Sequence, residues 1–306
     1  MPRSGTNHLM DLVCCHPEVA PGRLPVKEDL FLENSEQLLR FVSQVRGSWD
    51  PIWGDFPPEL EEDLLRSLGD GLISFLWTDR SRRLVTKSPS IRNIATFHRL
   101  FPNAKLLILI RDGRSIVQSC IDTFGWDFDT ATHRFSDAAR ELLTYMEAEG
   151  ASAERLMIRY EDLVTHMRPT MTGVLEFAGL SRDGFDFSAA DDLPVRGSSS
   201  HLGPGRTSVH WEPVAKSASF RPLQRWESWD EDRAARFEWL AGREARALGY
   251  EVDGSEPQPA RHRLRDLRWH GKRWSRRFLY RLRGRLGPAT RPLRERFRKL
   301  GRDGDG

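Results

Sequence analysis

Two short stretches hold residues able to bind an anion. In the first, Pro2-Arg3-Ser4-Gly5-Thr6-Asn7 runs into His8-Leu9-Met10-Asp11-Leu12-Val13, whose apolar positions predict a helix. The first amides of a helix lack partners and its dipole favours negative charge, so a Gly among small hydroxyl residues there reads as an anion loop. Arg3 adds a full charge, and Ser4, Thr6 and Asn7 add side-chain donors. A plain capped helix start is the competing reading. The second stretch is Ile110-Arg111-Asp112-Gly113-Arg114-Ser115-Ile116-Val117-Gln118-Ser119. If a helix opens near Gly113, Ser115 and Ser119 share a face and Arg111 stands just ahead of the first turn. A guanidinium with a hydroxyl beyond it can hold a phosphate. The bland alternative makes Asp112 an N-cap, Arg111 a solvated charge and Ser119 a core-edge residue.

The elements around these stretches alternate. Glu36 to Val45 has helical spacing, and Pro58 opens a helix through Leu60, Leu64, Leu65 and Leu68. Pro25 to Leu32 reads as extended, while Leu72 to Trp77 fits strand or helix equally. Leu84-Val85-Thr86 is a short apolar run ending at Lys87-Ser88-Pro89, and Pro89 opens a helix toward Leu100. Lys105 to Ile110 is a continuous apolar strand of the kind buried on both faces of a parallel sheet. Helices are expected over 115–124, 138–148, 169–178 and 231–248, and a strand over Arg155 to Tyr160. This order, with polar chemistry at strand ends, argues for an α/β domain with a doubly wound parallel sheet and ligands beyond the carboxyl ends of its strands.

The totals agree with a globular chain: 306 residues, 39% hydrophobic and 30% charged. No apolar stretch spans a membrane, and no signal peptide precedes the first loop, so the expected location is cytoplasmic. Cys14, Cys15 and Cys120 have no metal-ligand spacing and are expected to be reduced. Paired carboxylates at metal spacing and a G-x-x-x-x-G-K-[ST] loop are both missing, which argues against a metal site or an ATP- or GTP-using kinase. The net charge of +3 conceals an asymmetry, because residues 255–306 carry 17 Lys and Arg against 5 Asp and Glu. Two domains are expected, an α/β body over 1–254 and a basic, amphipathic or partly disordered tail over 255–306. Trp269, Phe278, Leu279, Leu282 and Leu286 fall among arginines with partly helical spacing. Such a helix at 261–286 suits an anionic membrane surface, placing the protein peripherally there, or a polyanion; nucleic acid is not an expected partner.

Together, the two anion stretches resemble the PAPS-dependent sulfotransferase family, in its tyrosylprotein and carbohydrate sulfotransferase-like branch. The family's 5′-phosphosulfate loop is similar to Pro2 to Asn7, and its 3′-phosphate segment resembles Arg111, Asp112, Arg114 and Ser119 after a strand. Lys87-Ser88-Pro89 matches a lysine-containing turn, and Arg159-Tyr160-Glu161-Asp162-Leu163 looks like a YEDL segment. Arg196-Gly197-Ser198-Ser199 and Phe220 to Trp226 resemble the C-terminal cofactor loop and helix entry. The resemblance covers about residues 1–250 and implies the P-loop NTPase-like sulfotransferase fold.

Carried over, the resemblance gives Arg3, Ser4, Gly5, Thr6 and Asn7 to the 5′-phosphosulfate of 3′-phosphoadenosine 5′-phosphosulfate (PAPS) as co-substrate, with no metal. Arg111 and Ser119 would hold the 3′-phosphate, with Arg196, Gly197 and Ser198 as helpers and Tyr160 as a nucleoside contact. Lys87 would sit at the scissile bridge, its alternative being a surface lysine. Glu28 is the nearest match to the family's general base, with Glu18, Asp29, His8 and His16 as competitors and an ordinary solvated carboxylate as the plain reading. Two departures stand out. The family's apolar strand before the loop is not in this sequence, implying a misplaced start or a partial enzyme, and Asn7 replaces a common Thr. The expected reaction is sulfuryl transfer to a hydroxyl or amine of an acceptor such as a carbohydrate or lipid-linked glycan. Trp49, Trp53, Trp126 and Trp211 serve either an acceptor cleft or core and lid packing. The alternative function is a non-catalytic or degenerate binding protein that uses the basic tail for membrane or polyanion contact.

Overall fold

A computed structural model describes residues 2–149, 154–194, 222–252 and 259–271. Helix α1 (Thr6–Val13) buries Leu9, Met10, Leu12 and Val13, as its apolar spacing requires. Strand β1 (Val19–Pro21) follows, then helices α2 (Ser35–Gly47) and α3 (Pro58–Leu76), which form a hairpin around Val42 and Leu65. Strand β2 (Arg83–Val85) leads through short α4 (Phe97–Leu100) to β3 (Leu106–Ile110), α5 (Gly113–Phe124) and α6 (Phe128–Glu149). Strand β4 (Arg155–Arg159), α7 (Tyr160–Thr165), α8 (Met167–Ala178), α9 (Phe187–Asp191) and α10 (Glu231–Ala247) complete the order. The chain divides into two compact units, Met1–Asp253 and Gly254–Gly306.

The fold is mixed α/β with short parallel sheets. Strand β1 pairs with β2, and β3 pairs with β4 in the register Leu106 to Arg155 through Ile110 to Arg159. Side chains alternate across β3 as the pleat demands. Ile108 and Ile110 join a core with Val117, Phe135, Leu142 and Phe237 from α5, α6 and α10. Leu109 points the other way, with Ile158, into a core built from Leu12 of α1 and Met171 and Leu175 of α8. Val19 and Val85 pack in that second core too, so both strand pairs contribute to it. Beneath α10, Arg236 is fully buried and held by both oxygens of Asp129 on α6.

Several local expectations are corrected. The 25–32 stretch is not a strand: it makes 3₁₀ turns at Pro25–Lys27 and Leu32–Asn34, with left-handed φ of 58° at Lys27 and 53° at Leu30. Residues 72–76 continue α3. The helix foreseen from Pro89 is delayed to Phe97, because Asn93 turns left-handed at φ 62° and gives its amide to Glu141 Oε1 at 2.6 Å. Strand β1 is a segment that pattern reading passes over, being three residues long and ending in proline.

Candidate active site

The four strands among the described residues pair in parallel, and β2, β3 and β4 are each followed at the carboxyl end by polar residues. Lys87 comes two residues after β2, Arg111 immediately after β3, and Tyr160 immediately after β4.

The loop Arg3 to Gly5 is strained in a way that serves α1. Arg3 has φ 67° and Gly5 φ 100°, and Gly5 is the N-cap, its carbonyl accepting from the amides of His8 and Leu9. Only glycine fits there, since a Cβ would stand 2.3 Å from Cδ2 of Tyr160. Ser4 is wholly buried. The loop is locked to the second stretch: Arg3 Nε donates to Ser119 Oγ at 3.0 Å, and Arg111 Nη1 donates to the Arg3 carbonyl at 2.8 Å. Arg111 also donates to the carbonyl of Pro222, and its guanidinium stacks 4.4 Å from the centre of the buried Tyr160 ring.

Arg225 completes a group of arginines that influence one another. Burial lowers all three, and Arg3 falls to about 10, the charges of Arg225 and Arg111 adding to the effect of burial. The Nε of Arg111 is buried without a hydrogen-bond partner among the described residues. A buried cluster of cationic donors with such an orphan fits a bound dianion such as phosphate. Arg225 is missing from the sequence-derived set. It does lie within Phe220 to Trp226, the stretch that resembles the family's helix entry, so the signal is in the motif while the residue goes unassigned.

The loop carrying Arg111 is itself pinned. Asp112 caps α5 by accepting the Arg114 amide at 2.8 Å and binds the Arg114 side chain through both oxygens. Arg114 lies 3.6 Å from the Trp226 ring centre, so its charge is already engaged. The Asp112 amide donates to Glu161 Oε1 at 3.0 Å, and Tyr250 Oη donates to Glu161 Oε2 at 2.9 Å. Burial and the Glu161 charge push Tyr250 far above the usual phenol range.

A second polar cluster follows β1 and β2. Glu28 bridges to Lys87 in parallel fashion, and Lys87 Nζ meets Glu28 Oε1 at 2.5 Å. Lys87 is 8% exposed in its side chain, so it is no surface lysine. Burial lowers its pKa, opposed by Glu28. Asp29 faces the framework instead, accepting Thr86 Oγ1 and the Phe31 amide at 2.8 Å each, with burial raising its pKa. Lys27 reaches Asp11 of α1 at 3.4 Å. His16, one rival for the base, has both ring nitrogens engaged: Nδ1 accepts the Glu18 amide, so Nε2 donates to the Ser181 carbonyl.

Among the tryptophans, Trp49 and Trp53 stack edge to face between α2 and α3, and Trp126 packs on Phe124 and Arg134. Arg196, Gly197, Ser198 and Trp211 lie outside the described residues. The three cysteines are thiols rather than disulfides, and no group of metal-binding side chains occurs among the described residues.

The family model for sulfotransferases matches residues 1–184, which include both anion stretches and Lys87. The chain belongs to the sulfotransferase family. Similar proteins include protein-tyrosine sulfotransferase A of Caenorhabditis elegans, 28% identical over 204 residues, covering 60% of this chain and 49% of that protein. Protein-tyrosine sulfotransferase 2 of Gallus gallus is 26% identical over 196 residues, covering 59% and 50%. The chain thus spans about half the length of these relatives. Among solved structures, the sulfotransferase domain of the Synechococcus PCC 7002 olefin synthase aligns with a TM-score of 0.49 at 18% identity, covering 82% of this chain and 93% of that one. In this sulfotransferase-family chain, the matched region also contains Glu28, Tyr160 and Glu161, whereas Arg225 and Tyr250 lie beyond it.

Proposed function

We propose that this chain transfers a sulfuryl group from PAPS to a hydroxyl or amine of an acceptor. The observation that carries the reading is the hydrogen bond from Arg3 to Ser119, which joins the two anion stretches across 116 residues of sequence. In this reading the two parallel pairs are parts of one doubly wound sheet of the P-loop NTPase-like type. The loop from Arg3 to Asn7 and the start of α1 hold the 5′-phosphosulfate. Arg111, Ser119 and Arg225 face the 3′-phosphate, with Arg196 to Ser198 as further helpers, and Tyr160 backs both stretches against the nucleoside.

The chemistry is positioning plus charge stabilisation, akin to phosphoryl transfer with a smaller charge on the moving group. The acceptor oxygen attacks sulfur while the bond from sulfur to the bridging oxygen breaks, and the departing phosphate keeps that electron pair. Lys87 stabilises the charge that grows on the bridging oxygen. Glu28 takes the acceptor proton, so the products are a sulfate ester, adenosine 3′,5′-bisphosphate and a protonated carboxyl. The Lys87 to Glu28 contact keeps the base beside the cation for the leaving oxygen before substrate enters. Acceptor hydroxyls to try first are a tyrosine peptide, as the relatives' names prompt, and carbohydrate or lipid-linked glycan.

Calorimetry with adenosine 3′,5′-bisphosphate, and transfer of radiolabel from PAPS, test the reading. Binding is expected in the micromolar range, about −8 kcal/mol, and Arg111→Ala is expected to abolish it. Absence of binding by the native chain, or equal binding by Arg111→Ala, overturns the proposal.

A further inference from the structure

Sulfuryl transfer gives no role to the basic stretch that begins at residue 255, where 17 Lys and Arg stand against 5 Asp and Glu. Residues 259–271, in the second unit, form a helix. Leu264 and Leu267 project from one face of it and are 51% and 71% exposed. At about 100° per residue, Ala260 and Gly271 share their face. Arg261 and Arg268 border that face on one side, Arg263 and His270 on the other, and Asp266 lies toward the back. The helix therefore carries an apolar stripe with cations along both edges, and its only acid is turned away.

We propose that this helix docks on an anionic lipid surface, with Leu264 and Leu267 entering the acyl boundary and Arg263 and Arg268 meeting headgroup phosphates. A lipid surface uses both features at once, because cations are drawn to anionic headgroups and leucines leave water. A nucleic acid has no use for the leucines, since single strands are gripped by stacking on aromatic rings and duplexes by polar contacts to phosphate and base edges. Two exposed leucines in the middle of the basic face then remain in water. The sequence after the helix repeats the pattern in composition, with Trp274, Phe278 and Leu279 among Lys272, Arg273, Arg276 and Arg277. The inference is independent of the transferase site.

The test is flotation of the full chain with vesicles of phosphatidylcholine, and with vesicles in which about a third of the lipid is phosphatidylglycerol, at ~0.15 M salt. The chain is expected to float with the anionic vesicles and to stay behind with the neutral ones. Leu264→Ser combined with Leu267→Ser is expected to lower the bound fraction about tenfold or more. Arg263→Glu with Arg268→Glu does the same by charge reversal. Both leucines are exposed, and circular dichroism with a thermal scan checks that these variants keep the wild-type fold. No flotation on anionic vesicles, equal flotation on neutral ones, or a leucine variant that floats like wild type overturns the proposal. So does retention on single-stranded RNA in place of vesicles, which marks a polyanion partner.

Discussion

Glu161 offers the most searching test of how the anion cradle is held. Its two carboxylate oxygens accept the Asp112 amide at 3.0 Å and the Tyr250 hydroxyl at 2.9 Å. Asp112 caps α5 and directly follows Arg111, so Glu161 fixes the segment that presents the guanidinium without lying among the arginines itself. Hydrogen bonds to a charged acceptor contribute about 1.5–3 kcal/mol each, so Glu161→Ala removes roughly 3–6 kcal/mol as an upper bound. Water entering this half-buried position restores part of it, leaving a loss of about 2–3 kcal/mol and a midpoint lowered by about 5–10 °C. Glu161→Gln keeps an acceptor for the Asp112 amide and sets a donor against the Tyr250 oxygen, and should retain most of the stability. The decisive assay is calorimetry with two ligands, adenosine 3′,5′-bisphosphate and adenosine 5′-phosphosulfate, which lacks the 3′-phosphate. Glu161→Ala is expected to weaken the first about tenfold through displacement of Arg111, and the second by less than about twofold. Equal weakening of both ligands, or unchanged bisphosphate affinity, refutes the positioning role.

Gly5→Ala combines a left-handed φ of 100° with a Cβ 2.3 Å from the Tyr160 ring. It should cost about 2–4 kcal/mol of stability by chemical denaturation and abolish bisphosphate binding. Arg3, lowered to about 10 in the free protein, is raised again by a bound anion, so the complex holds more protons than the free protein above that pH. Bisphosphate affinity should therefore fall as pH rises through about 10, approaching a tenfold loss per pH unit, and a flat profile between about pH 8 and 11 counts against the site. Glu28→Ala leaves buried Lys87 without its partner, costing about 2–3 kcal/mol, less than a fully buried pair because Glu28 is 19% exposed. That loss should be complete at neutral pH and shrink as pH climbs toward the ordinary lysine value, since the folded-state pKa of Lys87 lies below the unfolded one. Glu28→Gln should keep the fold while lowering the turnover of labelled PAPS far more than its KM, and a KM effect alone removes Glu28 from the proton transfer.

The parts of the molecule legible in the sequence are those specified by a local pattern. Strand β3 is five consecutive apolar residues, and α1 and α5 carry both spacing and start signals, so their ends and the residues just outside them follow directly. What pattern reading misses is set by distant contacts. Residues 25–32 look extended, yet Lys27 and Leu30 take left-handed conformations, while Asp29 is bound by Thr86 across 57 residues of sequence. Strand β1 is too short for alternation to register and exists through its pairing with β2. Arg225 sits in the Phe220 to Trp226 stretch that resembles the family's helix entry, but only the folded chain sets it beside Arg111 and Tyr160.

The same contrast explains why the YEDL segment matters beyond its tyrosine. Tyr160 fills the space under Gly5 and stacks on Arg111, and the next residue, Glu161, holds the Asp112 amide. One strand end thus touches both anion stretches, one through packing and the other through a charged hydrogen bond. Burying three guanidinium groups opposes folding, and their mutual repulsion adds to that cost. A loop free to swing Arg3 or Arg111 into water would relieve it. The ring beneath Gly5, the carboxylate behind Asp112 and the Arg3 to Ser119 hydrogen bond remove that freedom. The cationic cradle is therefore preformed at the expense of stability, and in the proposed reading binding of the bisphosphate recovers it.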